Sequence, residues 1–341
     1  MSFPRPLLLA NAMTDAIVPS AKVSCSIIPE QNRGKPWFDD GNVILMSHNL
    51  AFKVYKGMVS QHSTMLRDML DQQETEVVDG CPAIQLEDAT IDISSFLVVI
   101  HGCERAFQLN SKQDFMALVG VLRIATKYKA EALRQRALLP LKRLYPSKLS
   151  QWDEVFESSS WLWHLDPVTV TNVARELSAF AVLPAAMAFL ANSTLAEEAF
   201  GPSIFQTHPL RFAPGLLNAD DLKGFAKMKE YSHTCIARIL RFIREAGKEH
   251  RMSCQRLHAG DGCATKFTGM FVALSVAAAT SEAPAGYPSF IITVQSVLQR
   301  EDVCGSCRGR ADAGIDRRRR AWWRGLPEVL GFSGWEDVRL R

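Results

Sequence analysis

At 341 residues the chain is longer than one small domain requires, so more than one folded region is expected. A hydrophobic content of 47% with 22% charged residues is ordinary for a globular protein, so a shortage of core-forming side chains is excluded. The formal net charge of +3 is too small over this length to argue by itself for a nucleic-acid partner.

Residues 1–36 carry Pro4, Pro6, Pro19, Pro29, Gly34 and Pro36 without a clear period and read as a flexible leader. The brief apolar run after Met1 lacks the pattern of a secretory signal. Residues 37–145 then read as one α+β unit. Asn42–Ser47 is a short apolar run and Ala51–Tyr55 alternates, so two strands are expected, joined by a turn at His48-Asn49 where Asn tolerates positive φ. Gly57–Gln61 and Ser63–Leu70 read as short helices, the second capped by Ser63 with Met65, Leu66, Met69 and Leu70 on its apolar face. The polar, acidic Gln72–Gly80 is expected to be a surface loop, and Ala83–Leu86 a brief strand. A helix with Ile93, Phe96, Leu97 and Ile100 on one stripe comes next. Ser111 and Asp114 mark the start of another, with Leu118, Val121, Leu122, Ala125 and Tyr128 inward. Ala130–Leu144 closes the unit through Leu133, Ala137, Leu141 and Leu144, with Pro140 expected to kink or break it and Pro146 to stop it.

The pattern of this stretch resembles the BTB/POZ domain. That family shows an acidic residue before an apolar first strand, which here corresponds to Asp39 or Asp40 with Val43–Leu45. Its F-x-V-H-[KR] element corresponds to Phe52, Val54, Tyr55 and Lys56, with Tyr55 where the family has His. Its I-x-L strand and following acidic residue correspond to Ile84, Leu86 and Asp88, and its A-x-K-Y element to Ala125, Lys127 and Tyr128. The wording WFDDGNVIL and VVDGCPAIQLEDA is similar to the fungal branch. The resemblance implies a small mixed sheet surrounded by helices, followed by an all-helical region. It also implies a non-enzymatic module that homo- or heterodimerises or binds protein partners, as a substrate adaptor of a cullin-type ubiquitin ligase or as a transcriptional scaffold. An intracellular setting, cytoplasm or nucleus, is expected. Asp39, Asp40 and Lys56 match charged positions near the subunit interface of BTB homodimers, the alternative being a solvated turn and helix start.

Residues 147–245 read as largely helical. Asp166 and Pro167 suit a helix start, with Val170, Val173, Ala174 and Leu177 as its stripe, and Pro184 opens another helix through Met187 and Leu190. Phe180–Ala191 is the most apolar stretch, but a membrane span needs about 20 residues, so a buried helical corner is expected and no membrane. Gly201–Gly215 reads as a loop. Asn218 caps a long helix with Leu222, Phe225, Met228, Cys235, Ile239 and Ile243 on one face. Leu183–Leu190 is similar to a segment of fungal BTB proteins. Residues 246–341 are of uncertain fold: Ala259–Gly262 suggests a turn, Ser281–Ser289 a loop, and Phe290–Leu298 a strand or a helix. Trp322, Trp323, Leu326 and Trp335 are expected to anchor the tail, whose Trp323, Leu326, Pro327 and Trp335 resemble the W-x-x-L-P ending of fungal BTB proteins. No repeat of 20 to 50 residues is evident.

No H-E-x-x-H, G-x-x-x-x-G-K-[ST] or G-x-S-x-G occurs, so the chain is expected not to be an enzyme, and no catalytic, cofactor-binding or metal-binding residue is assigned. The sharpest chemical candidate is the C-x2-C of Cys304 and Cys307 with Cys254 and Cys263 upstream. Eight residues separate the upstream pair, outside the usual two to four, so unligated thiols are favoured over zinc; His250 and His258 are alternative ligands. The eight cysteines form no compact framework, and reduced thiols are expected. The run Arg317–Arg320 reads as a solvated helix face rather than a phosphate-binding patch. The rival function is a zinc-dependent nucleic-acid-binding protein built on the four cysteines and this run.

Overall fold

A computed structural model describes residues 28–72, 76–109, 111–158, 167–192, 217–249, 254, 262–279 and 286–340. Outside them lie the leader up to residue 27, Asp166, the 201–215 loop, His250, His258 and most of the 259–262 and 281–289 turns. The chain divides into two compact units, Met1–Gly102 and Cys103–Arg341. This division runs through the 37–145 stretch, between its third and fourth helices. The architecture is mixed α+β, a four-stranded sheet with thirteen helices among the described residues.

In the first unit, β1 (Val43–Ser47) and β2 (Leu50–Val54) form a hairpin in which Leu45 pairs with Phe52. The two-residue turn takes its positive φ at His48, at 50°, rather than at Asn49 as expected. Helices α1 (Lys56–His62) and α2 (Thr64–Asp71) come next. Ser63 caps α2 by accepting from the Leu66 N–H at 3.0 Å. Leu66 and Leu70 are buried, whereas Met65 is 39% exposed, so the buried stripe is narrower than expected.

The 72–80 segment is not simply a loop. Glu76–Val78 forms β3, paired antiparallel with β4 (Cys81–Leu86), while residues 73–75 lie outside the described set. Asp79 and Gly80 turn the hairpin with φ of 50° and 71°, the left-handed pair a tight two-residue hairpin turn requires. β1 and β4 run parallel, giving the order β2-β1-β4-β3.

Period-2 alternation then buries both faces. Val43, Leu45, Phe52 and Val54 share one face and are fully buried. α2 packs on β4, and α3 (Thr90–Ile100) adds the stripe Ile93, Phe96, Leu97 and Ile100. The opposite face carries Ile44, Ala51, Val78, Cys81 and Ala83, closed by Ile28, Trp37 and Met46. Residues 28–36, expected as part of a flexible leader, therefore lie beside β2, where the Gly34 N–H donates to the Ala51 carbonyl at 2.8 Å. The sheet has apolar side chains on both sides, and Ile28 and Trp37 supply the cover on this one.

The second unit is helical. α4 (Lys112–Lys127) is capped by Ser111, and α5 (Glu131–Leu144) runs unbroken through Pro140. Proline costs a helix about 3 kcal/mol, and here it is offset by burial of Leu138, Leu141 and Leu144 on either side. α6 (Leu149–Ser158) and α7 (Pro167–Glu176) lead to α8 (Leu183–Ala191), every residue of which is buried. A helix apolar all round belongs in a core, which makes α8 the centre of the unit. Against it pack α7, α9 (Ala219–Glu249) and α12 (Gly305–Val329); α10 (Cys263–Ala279) and α11 (Tyr287–Arg300) pack on α9, and α13 (Trp335–Leu340) ends the chain's described part. α9 packs against α8, α10, α11 and α12 along Phe225, Met228, Cys235, Ile239 and Ile243; Leu222, expected on this face, is 38% exposed. Its cap is Asn218, which also holds the buried Asp221 that pairs with Arg175 of α7 at 2.8 Å. Phe290–Leu298, open between strand and helix, is helical within α11. Among the described residues no helix is long and apolar enough to cross a membrane.

The tryptophan-rich tail anchors as expected. Trp323 lies between Trp152 of α6 (5.4 Å between centroids) and Trp335 of α13 (4.9 Å), and the Trp335 indole N–H donates to the Trp323 carbonyl at 2.8 Å. Trp322 stacks on Tyr287 at the start of α11 at 4.7 Å.

Candidate functional site

Four cysteines from three places in the second unit converge. Cys254 lies between α9 and α10, Cys263 opens α10, Cys304 is the residue before α12, and Cys307 sits in its first turn. Their four Sγ atoms all lie within 4.8 Å of one another. None is disulfide-bonded; Cys263, Cys304 and Cys307 are buried and Cys254 is half-buried.

The local sequence accounts for the convergence. The last residues of α11 and the first of α12 are separated by a short connection, which the Arg308 guanidinium fixes by donating to the Gln299 carbonyl at 3.2 Å and the Glu301 carbonyl at 2.9 Å. That connection brings Cys304 to the start of α10, where its N–H donates to the Cys263 Sγ at 3.2 Å. The two residues between Cys304 and Cys307 form the first turn of α12, which directs the second thiol to the same point. Arg310, one turn on, donates to the Cys307 Sγ at 3.6 Å. The eight-residue gap between Cys254 and Cys263 does not keep them apart, since their sulfurs lie within 4.8 Å of each other.

Some neighbouring groups stabilise negative charge on sulfur, although burial outweighs them at Cys263 and Cys307. The first turns of α10 and α12 bring the positive ends of two long helices to the cluster, and Arg310 adds a full positive charge. Burial pushes the Cys263 and Cys307 thiols up, against the Cys304 N–H on the first and Arg310 on the second. Arg310 was not singled out from the sequence; its three-residue spacing from Cys307 becomes a signal only once α12 is known to start at Gly305.

The charged positions of the first unit are distributed differently. Asp39 and Asp40 are exposed, and the Tyr55 hydroxyl donates to Asp40 at 2.7 Å, which raises the phenol above its ordinary range. Tyr55 also lies against Phe38, at 4.9 Å between centroids, and Phe38 against His101 at the same distance. Lys56 pairs with Asp71 at 2.6 Å and reaches the Leu70 carbonyl at 3.4 Å. Asp40 and Lys56 are thus engaged separately, without a common pair. No family model, curated protein or solved structure matches the chain.

The arginine run is largely used inside its own unit. Arg319 pairs with Asp153 of α6 and Arg320 with Asp316. Arg318 lies 3.9 Å over the Phe242 ring and donates to the Gly314 carbonyl at 3.0 Å, while Arg317 is exposed. Two clefts open on this unit. One of about 610 Å³ is lined by Lys142, Arg143, Gln151, Glu154 and Arg339 among others. The other, of about 150 Å³, lies between Trp152, Ile291 and Trp322, where Asp153 faces Arg319. Neither brings a nucleophile together with a base and an orienting group.

Proposed function

We propose that the chain is a non-enzymatic protein–protein interaction module of the BTB/POZ type, which pairs with itself or with another chain through its sheet-bearing region. One observation carries the reading: within the first unit, the positions that resemble the family fall on one mixed sheet and the helix that follows its hairpin. Phe52 and Val54 lie on β2, Lys56 opens α1, and Ile84 and Leu86 lie on β4 beside β1, while the A-x-K-Y positions Ala125 and Lys127 lie on α4 of the second unit. The absence of enzyme motifs from the sequence supports the non-catalytic half. The helical region then offers a second surface, as an adaptor in a cullin-type ubiquitin ligase or a transcriptional scaffold.

Multi-angle light scattering of the full 38.0 kDa chain tests self-association. A specific dimer buries about 1,200–2,000 Å² or more, enough to persist at tens of micromolar. The expected result is twice the chain mass. A monomer that also retains no partner in affinity capture from cells would refute the proposal. The convergence of the cysteines favours the zinc half of the rival reading, but three of the four arginines in the run already have partners within the chain. Nucleic-acid binding would be revealed by affinity that falls steeply with salt.

A further inference from the structure

We infer that Cys254, Cys263, Cys304 and Cys307 bind one zinc ion, in a closed tetrathiolate site that ties the α9–α10 connection and the start of α10 to the start of α12. Nothing in this depends on the interaction-module reading.

The geometry suits a single tetrahedral ion. With Zn–S bonds of about 2.3 Å, tetrahedral sulfurs stand about 3.8 Å apart. The four Sγ atoms, within 4.8 Å of one another, need to close by about an ångström at most. An iron–sulfur cluster, with several irons and inorganic sulfides at its centre, needs its thiolates spread more widely. Four sulfur donors around one small tetrahedral ion suit zinc, and metal analysis separates it from a single iron held in the same way. Four protein thiolates fill the tetrahedral positions and leave none for water or substrate, so the ion is structural and not catalytic.

The surroundings fit the charge. Zinc with four thiolates carries a net double negative charge, which a buried site must balance. Arg310 contributes one positive charge at the Cys307 sulfur, the Cys304 N–H donates to the Cys263 sulfur, and two helix N-termini face the cluster. The ligands also answer a mechanical need. Cys254 lies between α9 and α10 and Cys263 opens α10, while Cys304 ends the connection from α11 and Cys307 sits in the first turn of α12. One ion therefore fixes both connections at the same end of the helical unit.

The test is elemental analysis of the full chain, purified with reductant and without chelator from cells supplied with zinc. About one zinc per chain is expected, and cobalt substitution should give the intense visible bands and sulfur-to-metal charge transfer of a tetrahedral tetrathiolate. Cys254→Ser, at the half-buried position, should lose most of the zinc while keeping its helical signal; Cys103→Ser, at an exposed cysteine outside the cluster, should keep it. Should Cys304→Ser or Cys307→Ser fail to fold, mercurial titration of the unmodified protein still decides the matter, because zinc should be released in step with four thiols. Protein with far less than one metal per chain, iron in place of zinc, an octahedral cobalt spectrum, full zinc retention in Cys254→Ser, or a mass showing these cysteines oxidised to disulfides would each overturn the assignment.

Discussion

Asn192 joins two helices that are 95 residues apart in sequence, and its replacement should be among the more damaging changes in the helical unit. It follows the last residue of α8, where its side-chain amide donates to the Ala188 carbonyl at 2.6 Å, and its carbonyl oxygen accepts from the Tyr287 N–H at 2.9 Å. That N–H belongs to the first residue of α11, one of the donors a helix cannot satisfy internally. Tyr287 is fully buried, and Gly286 before it, at φ +86°, lies so close that a Cβ there would overlap Asn192. Asn192 is only 8% exposed, so bulk water does not reach this bond. Asn192→Ala therefore leaves the Tyr287 N–H unsatisfied, which costs about 1–3 kcal/mol, and loses the bond to Ala188 at about 1 kcal/mol more. The Ala188 carbonyl keeps the backbone Asn192 N–H at 3.2 Å, so its loss is the smaller part. Together these predict about 2–4 kcal/mol, or a Tm lower by about 4–16 °C for a unit of this size. Urea unfolding followed by tryptophan fluorescence reads it directly, since Trp322 stacks on Tyr287. Asn192→Asp keeps an acceptor for Tyr287 but sets a carboxylate oxygen against the Ala188 carbonyl, and should not recover wild-type stability. An alanine variant within about 0.5 kcal/mol of wild type, the ordinary range of surface substitutions, would refute the reasoning.

Two glycines of α12 should respond in opposite directions. A Cβ at Gly314 would overlap the Phe242 ring, so Gly314→Ala should cost about 1–3 kcal/mol despite its better helix propensity. Gly309 on the same helix has open space around it, so Gly309→Ala should gain about 0.5–1 kcal/mol; urea midpoints of the two variants provide the comparison. In the first unit, Phe52→Ala removes a fully buried ring from β2 and should cost about 3–5 kcal/mol, measured as loss of the cooperative transition by circular dichroism. A phenol titration should find Tyr231, Tyr287 and Tyr55 ionising above the ordinary range. Burial is the first cause for Tyr231 and Tyr287, and the hydrogen bond to Asp40 for Tyr55. Since these pKa values are raised in the folded state, the folded protein holds more protons. Their stabilising contribution should be complete below about pH 10 and be lost as pH rises beyond it, which stability measured across alkaline pH will check.

Elements whose pattern is local were legible. The β1–β2 hairpin, the Ser63 and Ser111 caps, the α3 stripe and the fully apolar α8 each announce themselves within one or two turns of sequence. β3 was hidden by its acidic neighbours, although Val77-Val78-Asp79-Gly80-Cys81 carries the Asp-Gly signal that a tight hairpin requires. α10 was obscured because its buried positions, Cys263, Phe267, Met270 and Leu274, are few among small residues. The cysteine site was half legible. The two-residue gap between Cys304 and Cys307 is a local signature, whereas the partnership with Cys254 and Cys263 depends on how α9, α10 and α12 pack, which no spacing rule contains.

The same limit explains why the basic stretch of α12 misleads as a charge run. A patch that attracts nucleic acid requires unpaired cations on one solvent face. Along this helix Arg308 serves the Gln299 and Glu301 carbonyls, Arg310 a cysteine sulfur, Arg318 an aromatic ring, and Arg319 and Arg320 the acids Asp153 and Asp316. Large apolar side chains are sparse between Cys307 and Trp322, so the middle of α12 relies on guanidinium stems and charges to hold its neighbours. Arg308, Arg318 and Arg319 reach from α12 to neighbouring elements, while Arg310 and Arg320 act within it, with the thiol cluster at one end of α12 and the tryptophans at the other. On this account Arg319→Ala should lower stability, and Arg317→Ala, at the exposed position, should leave it nearly unchanged; equal effects would mean the run is a solvated face after all.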